Sequence, residues 1–537
     1  MIKLFFRRAA VSVSAALCLS AAVLNAQEIE LPSVTTTITG GTQEIDENAL
    51  PDFSQILPET EDVLPRLPDT RFSPGENTLD LGNRAKDENE MYLSGFFGGG
   101  YPGLFTGDFS IFKTSSKNPF NFHFLHTAHN GYGINSASGG FYDSTTRLDG
   151  EALFNLTNTF SLKTGGLYDS NTTGLQNLSP LYSSLSSQTI KPSLSAIWNF
   201  SNILGFNADI DGFVSSQYGA LKVPVNSQPA VPSNPSFITF LINPSLSMSV
   251  NAALVKFTLD GDYNFSGSAE SGEYGHRGSV YAILSRSGDF LDAGIKAGGV
   301  FLAESKLVPF SLFFKLRGKT SLSEKELSVS MTGGLSSEQT SLYAMHDTHY
   351  YSLYNTIPQE QSDWFGSIAF FLPIADILTA NMNLGFKSTA FNNGVMVPDY
   401  IQTNTQTGLF NFIQINRNEL VSDISATYSA HLLSIALGWK ASWLDADVLD
   451  QRQLIYLNAF ISSKDSKFRS SAEIEFEPMR DLIPDISTGV YYSITPSFSL
   501  AFEVEDMIKL ITGTDRIAAF PYVSSSGSAV ITAKFYF

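Results

Sequence analysis

The last ten residues, Ser528-Ala-Val-Ile-Thr-Ala-Lys-Phe-Tyr-Phe537, alternate. Ile531, Ala533, Phe535 and Phe537 fall on one parity; Ser528, Thr532, Lys534 and Tyr536 fall on the other. Side chains of a strand switch faces at every residue, so this is a strand with one apolar face and one largely polar face. The edge strand of a soluble sandwich could read the same way, so the pattern has to be followed back through the chain.

It recurs. In Ala253-Leu-Val-Lys-Phe-Thr-Leu-Asp-Gly-Asp-Tyr-Asn-Phe265, one face holds Val255, Phe257, Leu259, Tyr263 and Phe265. The other holds Lys256, Thr258, Asp260, Asp262 and Asn264. Residues 466–477 set Phe468, Ala472, Ile474 and Phe476 against Arg469, Glu473, Glu475 and Glu477. Residues 147–156 do the same with Leu148, Ala152, Phe154 and Leu156 against Arg147, Asp149, Glu151 and Asn155. Further copies run at 190–200, 308–317, 431–443 and 496–505. A sandwich needs about seven strands; the pattern here gives 22 or 23 candidates without a domain break. Tight links (155–158, 199–203, 287–289, 463–466) alternate with long ones (170–189, 216–237, 392–415), as an up-and-down meander requires. The expected fold is all-β, a transmembrane antiparallel up-and-down barrel. An even count is usual, which selects about 22 strands, with 16–20 as the fallback.

Residues 1–26 read as an export signal of the Sec type. Lys3, Arg7 and Arg8 precede an apolar run from Ala9 to Leu24, and Leu-Asn-Ala stands before Gln27. The single cysteine, Cys18, lies in that run behind Leu17, which does not suit a lipoprotein site. The mature chain is then cysteine-free, without disulfides, thiolate metal sites or cysteine nucleophiles. No later stretch reaches the about 20 apolar residues of a spanning helix. A closed barrel remains as the way to satisfy every backbone amide in lipid.

Composition agrees. Charged residues are 16%, against about 25% in soluble domains. There are 42 Phe and 21 Tyr but 4 Trp. Mean hydropathy is only +0.01, as alternating strands require. Removing Lys3, Arg7 and Arg8 leaves 30 basic residues against 52 acidic ones, a net charge near −22. Nucleic acid is not the expected partner, because it calls for a basic face.

Residues 27–90 are a separate region, with 15 acidic residues against Arg66, Arg71, Arg84 and Lys86 and six prolines. Such a segment is expected to be mostly disordered, acidic and periplasmic. Its one strand-like piece is Val34-Thr35-Thr36-Thr37-Ile38-Thr39, a candidate for binding a periplasmic partner by strand addition. Entry into the barrel lumen is the alternative. The barrel is expected over 91–537.

Chemistry-bearing constellations are sparse. His123, His126 and His129 are spaced for a helix but lie on a strand, where His126 faces away from the other two. His346 and His349 fall in or beside a loop, and His276 and His431 stand alone. Neither a metal site nor a cofactor is expected. Phe97-Gly-Gly-Gly-Tyr101 has no Lys-Ser/Thr to hold phosphate and reads as a hairpin or a thinned wall. The chain is not expected to be an enzyme.

Two family resemblances follow from these residues. The terminal strand, with Ile531, Ala533, Phe535 and Phe537, resembles the last strand of outer-membrane barrels, in which a terminal aromatic is read by the barrel-assembly machinery. The stretch Phe502-Glu-Val-Glu-Asp-Met-Ile508, then Phe520-Pro-Tyr522 and the terminal strand, resembles the final hairpin of TonB-dependent receptors. Leu342-Tyr343, Tyr350-Tyr351, Pro358-Gln-Glu360 and the strand from Trp364 resemble their late-barrel region. Phe96-Phe97-Gly-Gly-Gly and Phe120-Asn-Phe-His-Phe124 resemble their first hairpins. Those receptors carry a globular plug, and residues 27–90 are too short and proline-broken for one.

The resemblance implies a bacterial outer-membrane barrel, embedded in lipid, that passes a polar solute through its lumen. The polar-parity residues Asp260, Asp262, Lys315, Arg317, Glu473 and Glu475 are the candidate lumen lining. The alternative is a structural or adhesin-type surface barrel closed by its own N-terminal segment.

Overall fold

The computed structural model describes residues 91–537, except 114–117, 202, 223–235, 253, 304, 321–322, 431, 445–452, 466, 479–482, 515, 520, 525–526 and 537. Residues 27–90 with Val34–Thr39, together with His431 and Phe537, therefore lie outside the described residues.

Twenty-two antiparallel strands form one closed sheet. Each strand pairs with its chain neighbours, and the first, Tyr92–Tyr101, pairs with the last, Ser528–Tyr536. The strip Lys306–Leu307 pairs only with the tip of Leu291–Leu302 and adds no wall strand. Closure leaves no edge, so every ladder group has a partner without water. It also explains Phe97-Gly-Gly-Gly-Tyr101, which is not a hairpin but wall, part of the first strand. A Cβ at Gly98 would meet the Thr532 side chain, and one at Gly100 the Ala529 carbonyl. The glycines let the two ends of the sheet approach.

The outer face is apolar and exposed. Phe257, Leu284, Ile295 and Leu312 are register partners on four consecutive strands, and all four are exposed. A soluble protein would hide such a continuous band, whereas lipid accepts it. Aromatic groups bound it. Phe160, Trp198 and Phe206 stack near one end. Phe240, Phe265, Tyr274 and His276 gather near the other. On the strand Leu204–Leu221, twelve residues separate Phe206 from Tyr218. At ~3.3 Å each and a tilt of about 40°, they span roughly 30 Å, the thickness of a hydrocarbon core.

Short links 156–159, 287–290, 376–377 and 496–497 lie at one end, together with Met91 and Tyr536. Links 131–141, 340–359, 390–417 and 506–527 lie at the other. The long link expected at 170–189 is corrected: the strands Phe160–Gly174 and Tyr182–Asn199 run through it and leave only 175–181. The Ser- and Thr-rich ends of these strands extend past the apolar band, so neither face needs apolar residues there. The link expected at 216–237 is also shorter, since strands reach Leu221 and resume at Ser236. The stretch 392–415 contains a hairpin, Val395–Thr403 with Phe410–Ile415.

Candidate functional site

The inner face is polar, and the link 340–359 is folded against it. Ser341 caps the short helix α1 (Leu342–Thr348), its hydroxyl accepting from Ala344 N at 3.3 Å. Leu342, Met345 and His346 are spaced i, i+3, i+4 and are all buried. Tyr343 and Asp347 occupy the adjoining side. Arg147 on the wall donates to Tyr343 Oη at 2.6 Å and to Asp347 at 3.2 Å, and the Lys191 ammonium lies 4.4 Å above the Tyr343 ring.

His346 meets Ser215 Oγ at 3.1 Å, and its ring stacks on Tyr354 at 3.5 Å. Tyr354 in turn donates its hydroxyl to the His346 carbonyl at 2.6 Å. Burial lowers the pKa of His346 from 6.5 to about 3 and that of His349 to about 4. Beyond α1, Gln217 holds the backbone at both ends of its amide. Nε2 donates to the Ser352 carbonyl at 2.8 Å, and Oε1 accepts from Tyr354 N at 3.1 Å.

The wall beneath has an order visible in the register. Arg147, Asp169, Thr189, Ser215, Thr239 and Ser268 are successive partners across six neighbouring strands. This polar row covers roughly 24 Å at ~4.8 Å per strand. Asp169, Thr189, Ser215, Thr239 and Ser268 are 0–4% exposed. Arg147 binds Asp169, and Thr189 bonds Ser215 at 3.0 Å. The hydroxyls of Thr239, Ser266 and Ser268 on the wall, and that of Ser352 on the docked segment, have no protein hydrogen-bond partner. Each such group costs about 1–3 kcal/mol when sealed from water.

The mouth at this end has its own apolar core. Leu175, Tyr182, Tyr351, Leu353, Leu409, Phe410 and Tyr522 bury one another. Tyr351 stacks on Tyr522 at 4.1 Å, and Tyr522 donates to the Gly408 carbonyl at 2.8 Å. Leu353 N bonds the Phe410 carbonyl, and Phe410 N the Tyr351 carbonyl, both at 2.9 Å. Gln176 exchanges two bonds with Val523. Four links thus form one packed unit. Its base is fixed by Arg277, which donates to Glu360 at 3.1 Å, Asp262 at 3.0 Å and the Ser337 carbonyl at 3.1 Å.

The candidate lining residues lie on the parity opposite the exposed apolar side chains, in three patches. Asp260 and Asp262 share one strand, and Asp262 is held by Arg277 and Ser279. Lys315 and Arg317 lie on Phe310–Thr320, Arg317 bound to Asp292. Glu473 and Glu475 lie seven strands further round, on Phe468–Phe476. The fold does not bring the three patches together. Of the terminal group, Ile531 is exposed on the outer face, and Phe535 packs on Phe109 at 5.7 Å. His123 bridges Asp108 (3.1 Å) and Asp149 (2.9 Å), while His129 bonds Asp143. Among the described residues no His, Cys, Asp and Glu group could hold a metal ion.

The residues that organise the docked segment, Ser215, Gln217, His346 and Arg277, carry no motif. The available signal was Ser341 followed by Leu342 and Met345, with His346 on the same side, a capped helical turn inside a β chain.

No family model and no curated protein matches the chain by sequence. Solved structures do match by shape. The ferric enterobactin receptor PfeA of Pseudomonas aeruginosa, in complex with enterobactin, has a TM-score of 0.62 at 8% identity, over 85% of this chain and 82% of that one. The siderophore receptor PirA of Acinetobacter baumannii has 0.59 at 8%, over 85% and 81%. The copper transporter OprC has 0.58 at 9%, over 85% and 82%. At these identities the likeness is one of fold. The chain shares the fold of the TonB-dependent receptor barrel.

Proposed function

We propose that this protein passes a polar solute across the outer membrane through its lumen. The observation that carries the reading is the sidedness of the wall. Four neighbouring strands present Phe257, Leu284, Ile295 and Leu312 outward, and on the opposite parity the same four carry Asp260, Asp262, Arg277, Asp292, Lys315 and Arg317. A polar lumen selects by width and by ring charges. Glu473 and Glu475 would bias it toward cations, with Asp260 and Asp262 adding to that and Lys315 and Arg317 opposing it. Residues 1–26 would be the removed export signal. Residues 27–90 would be a periplasmic tether, with Val34–Thr39 available to a partner strand. Phe537, with Phe535, Ala533 and Ile531, would be read by the assembly machinery. No catalytic role is assigned.

The test is ion conductance of the refolded mature chain in planar bilayers. E473Q/E475Q should lower the cation-to-anion permeability ratio. A protein that stays silent even after 340–359 is removed would refute the reading. The shared core of Leu175, Tyr351, Phe410 and Tyr522 would then favour the second one, a surface scaffold or adhesin whose loops are its working part.

A further inference from the structure

The segment 341–357 rests on a wall that is mostly polar, with Phe213 against His346 as its apolar exception. Leu342, Met345 and Ile357 of the segment are buried, while Leu353 belongs to the mouth core. The wall offers Thr189, Ser215, Gln217, Thr239, Ser266 and Ser268, all 0–4% exposed. Of these, Thr239, Ser266 and Ser268 keep hydroxyls without a protein partner. A Cβ at Gly275 would meet both the Ser266 hydroxyl and the Ile357 side chain. Hydroxyls in a row across a wall are satisfied by water or by a hydroxylated solute, and Ile357 of the docked segment lies beside Ser266, where either would sit.

The segment is also separable from the barrel. The pairing of Ser323–Gln339 with Glu360–Ala375 continues to Gln339 and Glu360, the residues on either side of it. All twenty residues between them can leave without breaking a ladder bond of the wall, at the cost of the Tyr351 and Leu353 contacts in the mouth core.

We propose that segment 341–357 is an internal gate, and that acid releases it from this row, uncovering the hydroxyls as the face along which the solute moves. This rests on the transport reading above. His346 is the trigger. From the wall it faces Ser215 and Phe213, and from its own segment Tyr354. Asp347 and Tyr343 on the helix, with Arg147, Asp169 and Lys191 on the wall, group beside Tyr343 rather than around the imidazole. Burial alone lowers its pKa to about 3. A proton there would add a charge where no carboxylate receives it. His349, packed on Tyr400 and Phe412 with its Nδ1 2.7 Å from the Tyr400 hydroxyl, adds a second such group.

The free segment takes a proton near pH 6.5, and the docked one does not until about pH 3. Docking is therefore at full strength above pH 6.5 and weakens as the pH falls toward 3. At pH 5, where ordinary carboxylates remain mostly ionised, His346 alone should weaken it about 30-fold.

Bilayer conductance of the refolded mature chain tests this at pH 7 and pH 5, beside two variants. One is H346F/H349F, which keeps rings at both places. The other replaces 340–359 by Asn-Gly, a two-residue hairpin turn. The wild type should open at pH 5, the double variant should stay as closed at pH 5 as at pH 7, and the excised barrel should be open at both. A wild type that does not respond beside an open excised barrel overturns the gate and leaves the transport reading standing. So does a double variant that opens at pH 5 as the wild type does, or that is already open at pH 7. An excised barrel that conducts at neither pH overturns the transport reading itself.

Discussion

Two register rows on the same wall have opposite properties. The outer row, Phe257, Leu284, Ile295 and Leu312, is apolar and exposed. The inner row, from Arg147 through Asp169, Thr189, Ser215 and Thr239 to Ser268, is polar and largely buried. In water both would be in the wrong place. The outer row is explained by lipid, a solvent that the whole barrel shares. The inner row is covered at Arg147, Asp169 and Ser215 by one segment of the same chain, which sets Tyr343 and His346 against it. Exposure in this molecule therefore reports on two different surroundings, and only the second can change.

The largest expected effect is on the inner face. Arg277→Ala removes a guanidinium held by Glu360, Asp262 and the Ser337 carbonyl, and leaves Glu360 sealed without its cation. The refolded barrel should lose about 3–5 kcal/mol in denaturant unfolding. Lys163→Ala breaks a half-exposed lumenal pair with Glu151 and should cost about 0–1 kcal/mol. Equal losses would mean that the inner face is uniformly wet and that the base of 340–359 is not sealed.

The outer row comes next. Phe257→Arg places a charge in lipid and should cost about 2–4 kcal/mol, while Asp260→Arg on the other parity should cost far less. Similar unfolding midpoints in lipid would reverse the assignment of the two faces.

A smaller effect sharpens the contrast from within. Thr239→Val replaces an unpartnered buried hydroxyl by a methyl of similar shape. Docking should tighten by about 1 kcal/mol, seen as slower proteolysis within 341–357 at neutral pH. Faster proteolysis would show that the hydroxyl has a partner, such as a bound water.

The smallest effect on folded stability is expected at Phe537, and it separates assembly from packing. Deleting it should lower the amount of protein in the outer membrane while leaving the unfolding midpoint of refolded barrel unchanged. Equal surface amounts of mutant and wild type would remove its role as an assembly signal.

Much of the barrel was legible in single strands. In 253–265 and 466–477 the alternation assigned each side chain to a face, because a strand's period of two is local and lipid punishes a slip. The reading failed at 170–189, where polar residues on both faces imitate a loop although the strands continue. It placed Asp260, Asp262, Glu473 and Glu475 on the inward parity but could not say that they form separate patches. Parity gives a face, whereas position around the barrel depends on the register of every intervening strand. His346 was legible as a loop residue and nothing more.

The sequence by itself determined that this chain closes a membrane barrel of about 22 strands, because alternation, turn spacing and terminal strand are written residue by residue. Only the tertiary structure decided what lies inside. Ser215, Thr239 and Ser268 are far apart in the chain and unremarkable one at a time. They form one surface because successive hairpins set them at one height, and Ser215 is covered because a link between the thirteenth and fourteenth strands folds back to set His346 on it. Burial of that kind is a contact between distant parts of the chain, and no local period records it.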